Sequence, residues 1–488
     1  MSGRRGIGGR AWAAPAALAA ALALAALLPS AAAAQSGGDC LTADPPPAQA
    51  PASPIRFGIT PLLAGTAGST QSGVVPESRP QTLAALEQLQ PRRRELVLRL
   101  NRMFFSDGVA GIRRYAAIVD DFADAGFETE LQIRYHPTPA QEGDMKAWRA
   151  YVKQAVKILG KRPSVVAFSI TNEANFPISA NTSDGSFDGV RPAVVTGVVA
   201  AQRQLRKIGR TDIELGFPVA WRWIPSEDAS FWTEIGERAT PAFRRAIDYV
   251  GIQIYPGLVF PPVPRPGVSA GREVVEALSL LRDCYMPKAG LGKGVDLWVS
   301  ENGYATNLGR STASQQADLA STLRSIHAYS GELGISDYRY FNLRDNDSAG
   351  TDLFDAVGLL SDDYRRKPAF ATLHDGIARS GTSTKRPPKP KPRSRVGGEQ
   401  CNGEAATIVG TNGADQLLGT HDHDVIVGAG GGDRIFGGGS SDEICGGAGD
   451  DLLVGGHDTD RIIGGGGRDS CRRDGDWVSG CETGARRR

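Results

Sequence analysis

The sequence predicts an α/β fold, a closed (β/α)8 or TIM barrel, followed by an all-β parallel β-roll, and three observations predict it. Short β-rich apolar runs alternate with amphipathic helical stretches eight times between residues 55 and 380. Within those runs the polar residues share one face, as the interior of a barrel with an active-site layer requires. After Gly410 a nine-residue unit with aspartate at its sixth place recurs seven times.

The eight strands are expected at Arg56–Thr60, Leu96–Asn101, Glu128–Tyr135, Val165–Thr171, Ile213–Val219, Tyr249–Tyr255, Asp296–Ser300 and Tyr338–Asn342. Helical patterns lie between them at Gly111–Ala125, Met145–Leu159, Val194–Ile208, Glu273–Leu281, Ser314–Ser330 and Pro368–Ala378. In the second strand Leu96, Leu98 and Leu100 oppose Val97, Arg99 and Asn101; in the third, Leu131, Ile133 and Tyr135 oppose Gln132, Arg134 and His136. Both faces of a doubly wound sheet pack against helices, so long polar groups on one face favour a barrel.

The 488 residues fall into several segments. Arg4, Arg5 and Arg10, an apolar run from Ala11 to Leu28 and a small-residue stretch to Ala34 have the parts of a secretory signal over 1–34. Removing those three arginines takes the formal charge from +1 to −2, which gives no global bias toward nucleic acid or an anionic membrane. No second segment is apolar enough to span a bilayer. A Pro/Ala-rich spacer covers 35–54, the barrel 55–380, a basic Pro-rich linker 381–400 and the repeat domain 401–488. Six cysteines without a C-x-x-C pair favour disulfides in an oxidising, extracellular setting. Proximity favours Cys471 with Cys481, while Cys40 and Cys284 either pair or stay free.

Two segments carry the chemistry. Phe168-Ser-Ile-Thr-Asn172-Glu173 ends the fourth strand and Trp298-Val-Ser-Glu301-Asn302 ends the seventh, each placing a carboxylate at the C-terminal rim where barrel enzymes keep their active sites. By parity Glu173 aligns with Ser169 and Thr171, and Glu301 with Leu297 and Val299. Two facing carboxylates ~5 to 5.5 Å apart are what double displacement at an anomeric carbon needs. The alternative is a pair of rim carboxylates in salt bridges with Arg99 or Arg344.

Asn172-Glu173 and Glu301 on these strands resemble the signature of the large retaining glycosidase clan called clan A, or the 4/7 superfamily, over about Ile55 to Ala378. The resemblance implies Glu173 as acid/base, Glu301 as nucleophile, Asn172 as partner of the sugar 2-hydroxyl and Tyr255 as the donor supporting the nucleophile. It departs from the clan at strand eight, where Tyr340-Phe341-Asn342-Leu343-Arg344 stands in place of a tryptophan platform. Strict alternation turns Asn172 away from Glu173, so its role requires an irregular strand end. Arg99 and His136 are expected either to touch the sugar or to fill polar barrel layers; Trp221 and Trp223 either stack on pyranose faces or pack a loop.

The nonapeptides, GTNGADQLL, GTHDHDVIV, GAGGGDRIF, GGGSSDEIC, GGAGDDLLV, GGHDTDRII and GGGGRDSCR, resemble the RTX, or haemolysin-type, calcium-binding repeat. Glycines free backbone carbonyls to face a cation and aspartate supplies a hard anionic oxygen. Asp415, Asp424, Asp433, Asp442, Asp451, Asp460 and Asp469 are the candidate Ca2+ ligands, and Leu417, Ile426, Ile435, Ile444, Leu453 and Ile462 the candidate core. Eleven acids against four arginines over Gly410–Arg472 predict loosening without calcium. Asp422, Ser440 and Asp458 replace the fourth-place glycine. A flexible glycine spacer is the bland alternative.

The expected function is a secreted retaining glycoside hydrolase acting on oligo- or polysaccharide, cell-wall polysaccharide included, with structural Ca2+ and no catalytic cofactor. The alternative is a non-catalytic, calcium-dependent carbohydrate- or surface-binding protein on the same barrel.

Overall fold

The structure is a computed structural model that describes residues 48, 50–61, 75–92, 94–180, 182–222, 225–259, 265–380, 400–419, 423–438, 441–456, 459–472 and 477–482. The signal segment, the first part of the spacer and nearly all of the basic linker lie outside the described residues. Among the described residues no helix is long and apolar enough to cross a membrane. Two units are described in turn.

The first is a closed barrel of eight parallel strands in sequence order, β1 (Arg56–Ile59), β2 (Val97–Phe104), β3 (Glu128–Arg134), β4 (Val165–Ile170), β5 (Glu214–Ala220), β6 (Tyr249–Ile254), β7 (Asp296–Asn302) and β8 (Ile335–Tyr340). β8 pairs with β1 and removes every sheet edge. Around it run α1 (Arg79–Leu89), α2 (Gly108–Asp124), α3 (Met145–Leu159), α4 (Val190–Lys207), α5 (Pro225–Arg238), α6 (Pro241–Ala246), α7 (Ala270–Leu280), α8 (Thr312–Leu333) and α9 (Pro368–Arg379). Helix starts follow capping chemistry: Asp144 accepts the Ala147 N–H at 2.9 Å, and Ser311 with Ser314 forms a reciprocal capping box. Gly334, left-handed at φ 66°, ends α8 just before β8.

Charged side chains cross the barrel interior. Arg56 of β1 pairs with Glu214 of β5, Arg339 of β8 with Glu130 of β3 at 2.9 Å, and Arg99 of β2 with Glu301 of β7. None of these strand pairs are neighbours, so the contacts run through the interior. Arg99 to Glu130 at 3.3 Å, Arg339 to Asp337 at 2.8 Å and Arg56 to Asp337 at 2.6 Å join them into one chain of alternating charge from Glu214 to Glu301. Pairing every buried ion with opposite charge is what makes its desolvation tolerable. Trp298 stacks on Tyr249 at 3.4 Å within this layer, with Arg56 and Arg339 against its ring.

Two strand expectations change. β8 begins at Ile335 instead of Tyr338, because Asp337 and Arg339 point into the interior and are paired there. In β7 it is Trp298 that faces inward with Glu301, not Leu297 and Val299; an irregularity between Val299 and Asn302 resets the parity.

The second unit is the strand-rich repeat region. A hairpin, β9 (Gln400–Cys401) and β10 (Glu404–Ala405), precedes two parallel sheets. One sheet is β11 (Ile408–Val409), β13 (Val425–Val427), β15 (Glu443–Ala448), β17 (Arg461–Gly466) and β19 (Trp477–Ser479). The other is β12 (Gln416–Leu418), β14 (Arg434–Gly438), β16 (Leu452–Gly456) and β18 (Ser470–Arg472). Neighbours within a sheet are eighteen residues apart, as Ile426 opposite Ile444 and Ile444 opposite Ile462 show, so two nonapeptides make one full coil; the last pair, Ile462 opposite Val478, is sixteen apart. Ile426, Ile435, Ile444, Leu453 and Ile462 are fully buried between the sheets with Cys471, and Leu417 packs against them. Disulfides Cys401–Cys445 and Cys471–Cys481 tie the two ends, and Cys284 is also disulfide-bonded.

Candidate active site

Three strand ends build the site. β4 ends at Ile170, and the chain leaves it through Thr171 at φ 66° and Glu173 at φ 45°, both left-handed. This is the irregular strand end that Asn172 needs. Its side chain reaches the interior, where Oδ1 accepts from Gln132 of β3 at 2.9 Å and Gln253 of β6 at 2.7 Å, while Nδ2 donates to the Thr182 carbonyl at 2.7 Å. One Nδ2 hydrogen is left over from that arrangement.

Asp184 locks this turn. Fully buried, it accepts the N–H groups of Asn172 at 2.9 Å and Tyr135 at 2.7 Å and pairs with Arg134 at 2.9 Å. Burial pushes its carboxyl up to about 6 against the pull of Arg134 and the two N–H groups. Nothing in the pattern of the sequence singles out an aspartate in a Ser/Asp/Gly loop. Glu130, Gln132 and Gln253 could have been found by parity, since each sits on the polar face of its strand.

Glu301 and Glu173 have opposite surroundings. Glu301 accepts from the Arg99 guanidinium and from the Tyr255 hydroxyl at 2.7 Å. Burial first, and then the charge of Glu301, push the Tyr255 phenol well up, so it remains a donor. Among the described residues no donor reaches the Glu173 carboxyl, which is pushed up to about 8 by burial first and by the Glu301 charge second, with Arg134 and Arg99 pulling it down. Two carboxyls are thus close enough to repel, one clamped by donors and one bare.

Arg99 has no exposed surface and is paired with Glu301 and Glu130. His136 is half-buried, packs tilted at 44° against Phe104 at 4.8 Å and lies with its Nδ1 3.3 Å from Ser106 Oγ; burial and Arg134 lower its pKa. Trp221 follows β5 directly, half-buried, its backbone N–H donating to the Gln253 carbonyl at 2.8 Å; Trp223 lies outside the described residues. Phe341 packs edge-on against Tyr255 at 6.0 Å. Arg344 donates to the Val75 and Asp362 carbonyls, so neither glutamate is its partner.

In the repeats five sixth-place aspartates, Asp433 to Asp469, each cap the one eighteen residues earlier. The N–H groups of Asp415, Asp424, Asp433 and Asp442 donate at 2.8 Å to Oδ1 of the aspartate eighteen residues on, and that of Asp451 does so at 3.0 Å. The second oxygens of Asp433, Asp442 and Asp451 are buried with no hydrogen-bond partner. Orphaned anionic oxygens beside glycine carbonyls fit a hard cation such as calcium. Among the described residues no three His, Cys, Asp or Glu converge.

Comparison with known proteins divides along the same line. Residues 403–435 and 436–471 match the family of the RTX calcium-binding nonapeptide repeat (4 copies). The RTX repeats therefore account for the roll and its aspartate period. No curated protein matches the chain. Among solved structures, a GH5_18 protein from Streptomyces cattleya in complex with GlcNAc is similar at 12% identity and TM-score 0.46, covering 76% of this chain and 85% of that one. A GH2 beta-galacturonidase from Eisenbergiella tayi bound to glycerol is similar at 12% identity and TM-score 0.45, covering 68% of this chain and 52% of that one. A fungal beta-1,4-galactanase is similar at 13% identity and TM-score 0.44, covering 66% of this chain and 100% of that one. The chain spans about half the length of the galacturonidase.

Proposed function

We propose that the barrel is a secreted retaining glycoside hydrolase in which Glu301 is the nucleophile and Glu173 the acid/base. The observation that carries this reading is the divergence of the two carboxyls, Glu301 gripped by Arg99 and Tyr255 and Glu173 held up to about 8. At neutral pH Glu173 then keeps a proton to give to the departing glycosidic oxygen as a Glu301 oxygen bonds to the anomeric carbon. In the second step Glu173, now ionised, takes a proton from water; that water oxygen replaces Glu301 at the same carbon and the configuration is retained. Asn172, fixed by Gln132, Gln253 and Thr182, presents its spare N–H to the sugar 2-hydroxyl. His136 and Trp221 line the approach as sugar contacts.

The disulfides and the RTX repeats support secretion into an oxidising, calcium-rich medium, with calcium ordering the roll. The test is a panel of nitrophenyl glycosides and polysaccharides given to wild type, Glu301→Gln and Glu173→Gln. The reading expects turnover by wild type, at least ~10³-fold loss in Glu301→Gln and a first-formed product of unchanged anomeric configuration by NMR. Inverted product, or turnover that survives Glu301→Gln, rejects it.

A further inference from the structure

The turn that carries Glu173 is held from two sides. Thr171 and Glu173 take left-handed backbone angles that residues other than glycine rarely adopt, so the surrounding contacts must fix them. On one side Asn175 ties the far end of the turn to β5, its Nδ2 donating to the Ala220 carbonyl and its Oδ1 accepting the Ala220 N–H, each at 2.8 Å. Asp228 accepts from the same Nδ2 at 2.8 Å.

On the other side the loop 182–187 grips the turn residue by residue. The Asp184 N–H donates to the Asn172 carbonyl at 2.9 Å, and the Asn172 N–H donates back to Asp184 Oδ2 at 2.9 Å. Ser183, with no exposed surface, points its hydroxyl at the carbonyls of Glu173, at 2.9 Å, and of Phe176. Gly185 completes the fit, since a β-carbon there would lie 2.5 Å from the Phe176 nitrogen. Backbone that close leaves no room for a side chain.

The grip is also electrostatic. Glu301 on β7 and Asp184 act to keep the proton on Glu173, while Arg134 on β3 and Arg99 on β2 act to remove it; the Tyr255 phenol on β6, also within reach, is neutral. Arg102 and His136 lie within reach of Arg134 in turn. Asp184 meets Arg134 through Nε at 3.0 Å and Nη2 at 2.9 Å, and it does so fully buried. A cation close to an acid that has to keep its proton works against it, and a buried anion on that cation offsets the effect.

We propose that Ser183 and Asp184 are positioning residues for the acid/base, the two together holding the left-handed turn in place and the aspartate masking the charge of Arg134. The inference rests on Glu173 being the proton donor.

The first measurement needs no substrate. The Glu173 carboxyl of protein labelled with 13C-glutamate, assigned by its absence in Glu173→Gln, is titrated by NMR, with a wild-type midpoint expected at about 8. Asp184→Asn keeps the shape and uncovers Arg134, so the midpoint should fall by about one pH unit. Adding Arg134→Met to Asp184→Asn should return it toward the wild-type value. The second measurement is kinetic: Ser183→Ala changes no charge and should lower kcat about 10-fold, with KM and the Glu173 midpoint unmoved. An unmoved or raised midpoint in Asp184→Asn, no return in the double variant, or full kcat in Ser183→Ala overturns the assignment. Should Asp184→Asn fail to fold, Arg134→Met alone decides, because the midpoint must then rise, and one that stays put overturns the masking. Turnover that survives Glu173→Gln rejects the acid/base reading itself, whereas a fixed midpoint in an enzyme that needs Glu173 rejects only this inference.

Discussion

Arg99 stands between two acids, its Nη1 on Glu301 and its Nε 3.3 Å from Glu130, with no surface of its own exposed. Glu130 in turn holds Arg339 at 2.9 Å. Removing the cation therefore affects both chemistry and fold. Arg99→Met leaves Glu301 with Tyr255 and strands Glu130 beside Arg339 alone. Steady-state kinetics should show at least ~10²-fold loss of kcat, and urea unfolding a loss of about 3 to 5 kcal/mol, the usual cost of breaking a buried pair from one side. Full activity in a stable variant would remove Arg99 from the site.

Glu173→Gln should lose activity and gain stability. The Glu173 carboxyl is raised from 4.5 to about 8, so the folded protein holds a proton that the unfolded chain releases in that interval. The contribution is fully present below about pH 4.5 and is lost as pH rises through about 8. Glutamine carries no such dependence, and the variant should outlast wild type by roughly 2 kcal/mol at pH 8.5, discounted for partial solvent access, with the gap closing toward pH 5. For the same reason wild-type kcat/KM should fall above about pH 8 as the acid loses its proton.

Tyr255→Phe removes one hydrogen bond and no charge. The hydroxyl donates to Glu301 at 2.7 Å, while the ring keeps its edge-on contacts with Phe341 at 6.0 Å and Phe354 at 5.2 Å. A fall of about 10- to 100-fold in kcat with KM little changed is expected, since one oriented donor to a charged group is worth about 1.5 to 3 kcal/mol. An effect confined to KM would assign the phenol to substrate binding instead.

The two roll disulfides should differ in worth. Cys401–Cys445 spans a separation of 44 residues and Cys471–Cys481 one of 10. Loop-closure entropy gives about 4 and about 3 kcal/mol. Circular dichroism during calcium withdrawal should therefore show Cys401→Ser with Cys445→Ser losing β structure at higher free calcium than Cys471→Ser with Cys481→Ser.

Much of this was legible in the residues. Alternation located the strands and put Arg99 and Gln132 indoors, and the aspartate period revealed the roll, because both are repeating consequences of backbone geometry. The start of β8 was hidden for the opposite reason: Ser336 and Asp337 look like loop residues until Arg56 of β1 pairs with Asp337. Asp184 was equally invisible, since its work is done on Arg134 and two N–H groups brought near only by folding. Helices α1, α5 and α6 lack the strong apolar stripe that marked α3, and tertiary packing decides them.

From Asp415 to Asp451 each sixth-place aspartate leans on the one eighteen residues on, and Asp469, with no such successor, donates its N–H to Glu482 at 2.6 Å. The ladder thus ends on a residue that offers no further rung, one position beyond the cysteine that pins the final coil. A chain cut before Glu482 would present a raw parallel edge with an unmet donor, a template on which a second molecule's coil could continue. The terminal glutamate is what makes a stackable pattern finite.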